Sequence, residues 1–488
     1  MSIVLNPLGT YQTGVFDEGA QEINAYDPTT QRVFVVNADA TTVDVLDLSD
    51  PANPVKLGSL DASAFGAAAN SVAVKDGLVA VAIEADTATD PGKIVFFNAD
   101  ETKFAAPTLV AEVGVGALPD MVAFTPDGST LVVANEGEPD DGIDPDGSVS
   151  IIDILTFTER KATFDAFNAQ QADLETAGLR IFPGKTIAED VEPEYVAITK
   201  DGTQAYVTLQ EANAVAVVDI ATATVTDIQP LGSIDHSQAG SGLDPSDRDS
   251  GINIQTWPVF GLQMPDALAL YEVDGETYYV TANEGDDRDD ADEEATGDAI
   301  RLKDLADVTS FGRTGLDLDA SITDVNPNIA DDEQLGRLTI SSVDGDTDGD
   351  GDIDQIYAYG SRSFSIFDSE GNLVFNSGDA FEQITAQHFP ADFNANNDEN
   401  DSFESRSDNK GPEPEGVALG EIDGKTYAFI GLERVGGIMT YDITDPANAS
   451  FVNYINNRNF SVEAELPDGS TNPEVGDLAP EGLTFVAA

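Results

Sequence analysis

The sequence predicts an all-β protein, a β-propeller of seven to eight four-stranded blades. Three observations predict it. Apolar runs of strand length recur, each opened by proline beside an acid. Asp-Gly turns separate the first two runs of a module. The turn after the third run also recurs, as Asp50-Pro51-Ala52-Asn53 and Asp445-Pro446-Ala447-Asn448. The implied module is all-β and roughly 50–75 residues long, the spacing of propeller blades.

In chain order, "QEINAYDPTTQRVFVVNADATTVDVLDL" from Gln21 and "NSVAVKDGLVAVAIEAD" from Asn70 are the first two modules. "LPDMVAFTPDGSTLVVANEGE" at Leu118, "EPEYVAITKDGTQAYVTLQEANAVAVVDI" at Glu192 and "MPDALALYEVDGETYYVTANEGD" at Met264 follow. A module from Gly336 runs through "IYAYGSRSFSIFD", and the last full one is "EPEGVALGEIDGKTYAFIGLERVGGIMTYDI" at Glu413. Residues 1–488 thus read as one propeller domain with seven full modules and a partial closing blade. That blade combines 478–488 as an innermost strand with 1–14 as an outermost strand, its middle strands missing. Insertions with helical character begin at Lys161 and at Asp379, and a polar loop spans Asp235 to Trp257.

Composition narrows the function. Asp and Glu number 91 against 22 Lys and Arg, a formal charge of −69, which repels nucleic acid and anionic membrane surfaces. Dense carboxylates suit hard cations or a solvated acidic surface. The absence of cysteine excludes disulfides and thiolate sites, and two histidines argue against a histidine-rich zinc site. No apolar run is long enough to span a membrane, and the first residues carry no visible signal peptide.

Two modules end their second run with Ala-Asn-Glu-Gly and a burst of carboxylates, at Ala134 and Ala282. In a propeller the start of the innermost strand and the end of the second lie on one face, so these acids should meet at one mouth of the channel. The rim then comprises Glu22, Asp120, Glu194, Asp266, Glu415 and Glu481 from strand starts. Asn37, Glu84, Glu136, Glu211, Glu284 and Glu433 come from second-strand ends, with Arg362 and Arg434 beside them. Converging carboxylates repel, and call for a cation or a shared proton; alternatively each caps a turn.

A second acidic feature is local. "DGDTDGDGDIDQIY" sets Asp346, Asp348, Asp350 and Asp352 at alternate positions with Gly351 at the turn, as in the first half of an EF-hand-like calcium loop. Tyr357 stands where a bidentate glutamate belongs, so Asp354 or a distant residue must complete the shell.

The stretches "GTYQTGVFDEGAQEINAYDPTTQRVFVVNADATTVDVLDLSDPANP", "GSGLDPSDRDSGINIQTWPVFGLQMPDALALY" and "NDENDSFESRSDNKGPEPEGVALG" resemble the choice-of-anchor I domain. The resemblance covers nearly the whole chain. It implies an exported bacterial propeller at the cell surface, in the periplasm or outside the cell, anchored or fused to other secreted modules. Some members are described as alkaline phosphatases, and a relation to esterase-like phytases is implied.

From chemistry alone, a phosphomonoesterase with this composition needs oxygen-ligated metals and arginines for the phosphate oxygens. Glu136, Glu284, Asp120, Glu194, Asp266, Glu413 and Glu415 could serve the cations, calcium and a second catalytic metal. Arg248, Arg288, Arg362, Arg406 and His236 could serve a small phosphorylated substrate. His388 and Trp257 read as packed side chains. The competing reading is a calcium-stiffened extracellular scaffold or adhesion module without chemistry, since the fold hosts both classes.

Overall fold

A computed structural model describes residues 3–16, 23–38, 40–140, 142–288, 297–309, 313 and 315–487. Glu22 of the expected rim lies outside them. The chain is a β-propeller. Among the described residues, six four-stranded antiparallel sheets occupy 24–61, 69–117, 119–163, 193–230, 268–283 with 363–376, and 414–455. Each sheet runs from an inner to an outer strand, and the inner strands follow one another around the axis.

Near-continuous runs of Val, Ile, Ala and Phe bury both faces of the middle strands, as stacked blades require. Adjacent blades share one apolar cluster. Phe34 and Val45 of the first meet Val81 and Phe97 of the second. Val132 and Ile151 of the third meet Val207 and Ala216 of the fourth. Val280 and Phe364 of the fifth meet Ile430 and Tyr441 of the sixth. Phe364 and Phe97 are fully buried, and truncating either to alanine would cost about 3–5 kcal/mol.

The module expected from Gly336 is not a separate four-stranded blade. Its Ser363–Asp368 run pairs with Glu276–Asn283 and is the third strand of the fifth blade. Residues 284–362 are therefore an insertion between the second and third strands of one sheet. Antiparallel pairing is indifferent to loop length, so a search of adjacent sequence divides this blade in two. Within the insertion, Thr339–Ser341 pairs with Ala299–Arg301, and Ile356–Ala358 lies parallel to Val259–Leu262. Leu302, Leu335, Ile340, Ile353 and Trp257 pack into a core of their own.

Closure joins residues far apart in sequence. The segment 480–487 lies between the sixth and first blades. There Asn24 donates to the Gly482 carbonyl at 2.7 Å, and Phe485 stacks on Phe429 with centroids 5.9 Å apart. This is the expected position of the closing inner strand, although no ladder forms along it. Among the described residues of 3–16 no strand forms either; Gly9 abuts the turn at Pro51 and Ala52. Helices form at Gln171–Ala177 and Ala380–His388, within the expected insertions, whereas Lys161 belongs to the strand Thr158–Thr163.

Candidate functional site: an acid-lined channel mouth

The Pro-acid pair and the second-strand end do meet. Pro119 stands opposite Asn135, Pro193 opposite Leu209 and Pro414 opposite Leu432. In each of these blades the register then breaks, and a bulge at that point re-aims the side chain that follows the proline. The pre-proline carbonyl completes the junction. Leu118 O accepts from Glu136 N at 2.9 Å, and Glu413 O accepts from Glu433 N at 2.9 Å. Leu118, Met264 and Glu413 reach this geometry at positive φ, between 41° and 48°.

The repeated Ala-Asn-Glu-Gly divides its labour by residue. Asn135 and Asn283 are fully buried, and their amides bond serines of the third strand: Ser150 at 3.1 Å and Ser365 at 2.9 Å. Gly285 has φ +85°, and a Cβ there would lie 1.9 Å from Gly360 N, so only glycine fits. Of the glutamates between them, Glu136 faces the channel cavity and Glu284 is taken up by Lys410 and Gln210.

A cavity of about 530 Å³ opens there, lined by Asp120, Glu136, Glu138, Glu192, Glu194, Glu211 and Asp266, with Arg288 and Lys185 on its wall. A second, of about 340 Å³, continues along the axis past Asp120, Asp266, Tyr195, Glu415 and Glu481. Burial, then Asp120, Glu138 and Glu211, push Glu136 well above the carboxylate range. Glu194, Asp266 and Glu415 are raised likewise, by burial first and then by the charge of Glu211, Glu284 and Glu433 respectively. Glu194, Glu211 and Glu415 each keep one buried carboxylate oxygen without a hydrogen-bond partner. Groups so placed bind protons or cations.

Glu413 and Glu284 sit differently. Glu413 contacts Arg406 at 2.6 Å, Arg434 at 2.8 Å and Lys410 at 3.7 Å. Burial alone would raise its carboxyl, but Lys410, Arg406 and Arg434 outweigh it and hold it below the ordinary value. Glu284 accepts from Lys410 at 2.6 Å and from Gln210 at 3.0 Å. Oxygens of Glu284, Glu413 and Glu433 still lie within 4.8 Å of one another.

The other expected residues scatter. Arg288 reaches the cavity wall but is paired with Glu192 at 2.7 Å and Asp190 at 3.3 Å. Arg362 is buried, bonded to Glu382 at 2.6 Å and to the carbonyls of Asp244, Ser407 and Asn409, away from the cavity. Arg248 lies outside the mouth with its side chain 57% exposed. His236 is buried, bonded through Nδ1 to the Ser241 carbonyl at 2.7 Å, and burial pushes it down to about 4. His388 packs against Tyr454 and Phe389. Asn37 and Glu84 end their strands as expected, Asn37 capping the turn at Ala40.

The Asp-rich loop gathers Asp346, Asp348 and Asp354 oxygens within 4.8 Å, and Asp352 and Asp354 meet Asp319 from a distant segment in the same way. Asp350 stays outside both groups. Sequence reasoning did not single out Asp319 or Lys410 and left Glu192 off the rim. Glu192 begins the Glu-Pro-Glu of its module, and that tripeptide was the available signal.

The fold and this mouth define a β-propeller with an acidic axial channel. The choice-of-anchor I domain matches residues 22–446, and the chain belongs to that family, a family of surface or exported proteins. The mesenchyme-specific cell surface glycoprotein of Strongylocentrotus purpuratus is 29% identical over 286 residues, 54% of this chain and 36% of that protein. Gigasin-3a of Magallana gigas is 38% identical over 120 residues, 24% of this chain and 42% of that protein. The matches thus span less than half the length of either relative. Among solved structures, the Cps50 (Swd1) β-propeller domain of Myceliophteria thermophila is similar at 10% identity and TM-score 0.40, covering 91% of this chain and 88% of its own. No helix among the described residues is long and apolar enough to cross a membrane.

Proposed function

We propose that the chain is the calcium-binding propeller of a surface or exported protein, with cations at the channel mouth and in the loop from Asp346 to Asp354. The observation that carries this reading is the set of buried, unpartnered carboxylate oxygens along the channel, those of Glu194 and Glu211 at the first cavity and that of Glu415 at the second. Oxygen-only donors in number select calcium over softer metals. The role is an extracellular scaffold or adhesion module, in keeping with the urchin relative's name as a cell surface glycoprotein. Calcium should raise the melting temperature of the full chain and EDTA lower it. Superimposed melts would sink the reading.

A second reading, metal-dependent phosphomonoester hydrolysis, is favoured by Arg288 and Lys185 on the wall of the carboxylate cavity. The carboxylates would hold the metal and the two cations would orient a small phosphate ester. Its test is p-nitrophenol release from the phosphate ester at neutral to alkaline pH, with calcium alone and with added transition metals. Turnover that vanishes in Glu136→Gln would establish it, and no turnover under any of these conditions would leave the scaffold role alone.

A further inference from the structure

Away from the channel, two loops bring together Asp244, Asp249 and Glu404. One carboxylate oxygen of each lies within 4.8 Å of the others. Asp244 and Glu404 are buried, with 0% and 2% exposure. The Glu404 carboxylate carries the argument: its Oε1 is buried without a hydrogen-bond partner, and the side chain is aimed at the two aspartates. Asp244 uses Oδ2 to accept from Asn253 N at 2.6 Å, which fixes its orientation. Among the described residues no basic side chain pairs with the trio. The neighbouring Arg248 turns to Asp247 at 3.1 Å, and Arg337 spans Asp247 and Asp408 at 3.0 and 2.6 Å.

We infer that Asp244, Asp249 and Glu404 form a further binding site for a divalent, oxygen-liganded cation, with calcium the fitting ion. Ligand oxygens of a calcium ion stand about 2.3–2.6 Å from the metal, so oxygens up to about 5 Å apart can share one ion. Magnesium demands a stricter octahedron and keeps its waters, which suits two buried carboxylates and a half-buried third less well. Three like charges in a closed space are otherwise costly, and burial, with Asp244, Asp249 and Asp247, pushes Glu404 up to about 8. The ion would clamp the loop around 244–253 to that around 393–412. Arg362 already bridges the same loops through the carbonyls of Asp244 and Ser407, each at 2.8 Å.

The test is calcium stoichiometry of the full chain, measured by equilibrium dialysis and metal analysis. Glu404→Gln and Asp249→Asn should each bind one calcium fewer than the wild type. Asp352→Asn should lose a different equivalent, and Glu404→Gln combined with Asp352→Asn should lose two. Melts in EDTA check that Glu404→Gln is folded; if it is not, the half-buried Asp249→Asn decides. Unchanged stoichiometry and affinity in the folded variants would overturn the site.

Discussion

Two copies of one tripeptide, Glu192-Pro193-Glu194 and Glu413-Pro414-Glu415, open the fourth and sixth blades and meet opposite fates. Around Glu413 the protein supplies Lys410, Arg406 and Arg434, so the buried charge is neutralised from within. Around Glu192 it supplies Arg288, while Glu136, Glu194 and Glu211 crowd the same cavity. A carboxylate's role is thus set by what the neighbouring loops bring to it, not by its place in the repeat.

The largest expected effect falls on the neutralised side. Glu413→Gln takes from Arg406 its buried carboxylate and leaves Lys410 to Glu284 and Arg434 to Glu433, and it should destabilise the fold by about 3–5 kcal/mol. The shift in urea midpoint should be the same in calcium and in EDTA. A loss confined to calcium would make Glu413 a metal ligand and erase the contrast.

Next comes pH. Burial first, and then Glu413, raise Glu433 to about 7 from an ordinary 4.5. A carboxyl that holds its proton more tightly in the folded state contributes stability that is fully present below 4.5 and lost as pH rises through about 7. Glu194, Asp266 and Glu415 act in the same direction. In EDTA, stability should fall across that window by up to about 1.4 kcal/mol per pH unit for each such group. Calcium should flatten the profile, and a profile rising with pH in EDTA would contradict these assignments.

Smaller, and opposite in sign to Glu413→Gln, is the effect of Glu194→Gln. Removing one repelling charge should leave the melt in EDTA at or above wild type, while the stabilisation by saturating calcium shrinks by about 1–3 kcal/mol. Smallest is Arg248→Ala. Its exposed pair with Asp247 should be worth less than about 1 kcal/mol, and any hydrolytic turnover should not change. A large loss of turnover would move the active site to that loop.

The repeat, the proline-acid starts and the mouth they form were legible because each is written within one hairpin, where spacing and turn chemistry fix geometry. The fifth blade was not, since its second and third strands are separated by residues 284–362 and their pairing leaves no local signature. The same reason hid the partners of the cations: Arg362 meets the Asp244 carbonyl across 118 positions and Lys410 meets Glu284 across 126, which no local window of sequence contains. His236 opens a polar loop in sequence, yet the backbone of that loop wraps the ring. Asp319 escaped because the spacing of the Asp-rich loop calls for Asp354 or a distant residue without saying which one, and the loop's oxygens reach both.

The closing segment has a consequence for how the molecule assembles. Asn24 and Gly482 are 458 positions apart, so their contact is among the least local in the chain, and loop-closure entropy makes such contacts late. Glu481 rides on the same segment and enters the cavity shared with Asp120, Asp266 and Glu415 as the ring shuts. The repulsion that Glu481 adds to Asp266 and Glu415 is therefore postponed to the final docking step. A cation present at that moment would lower the barrier to closure and raise the barrier to reopening, acting as a latch on the ring's lifetime as well as a weight on its equilibrium.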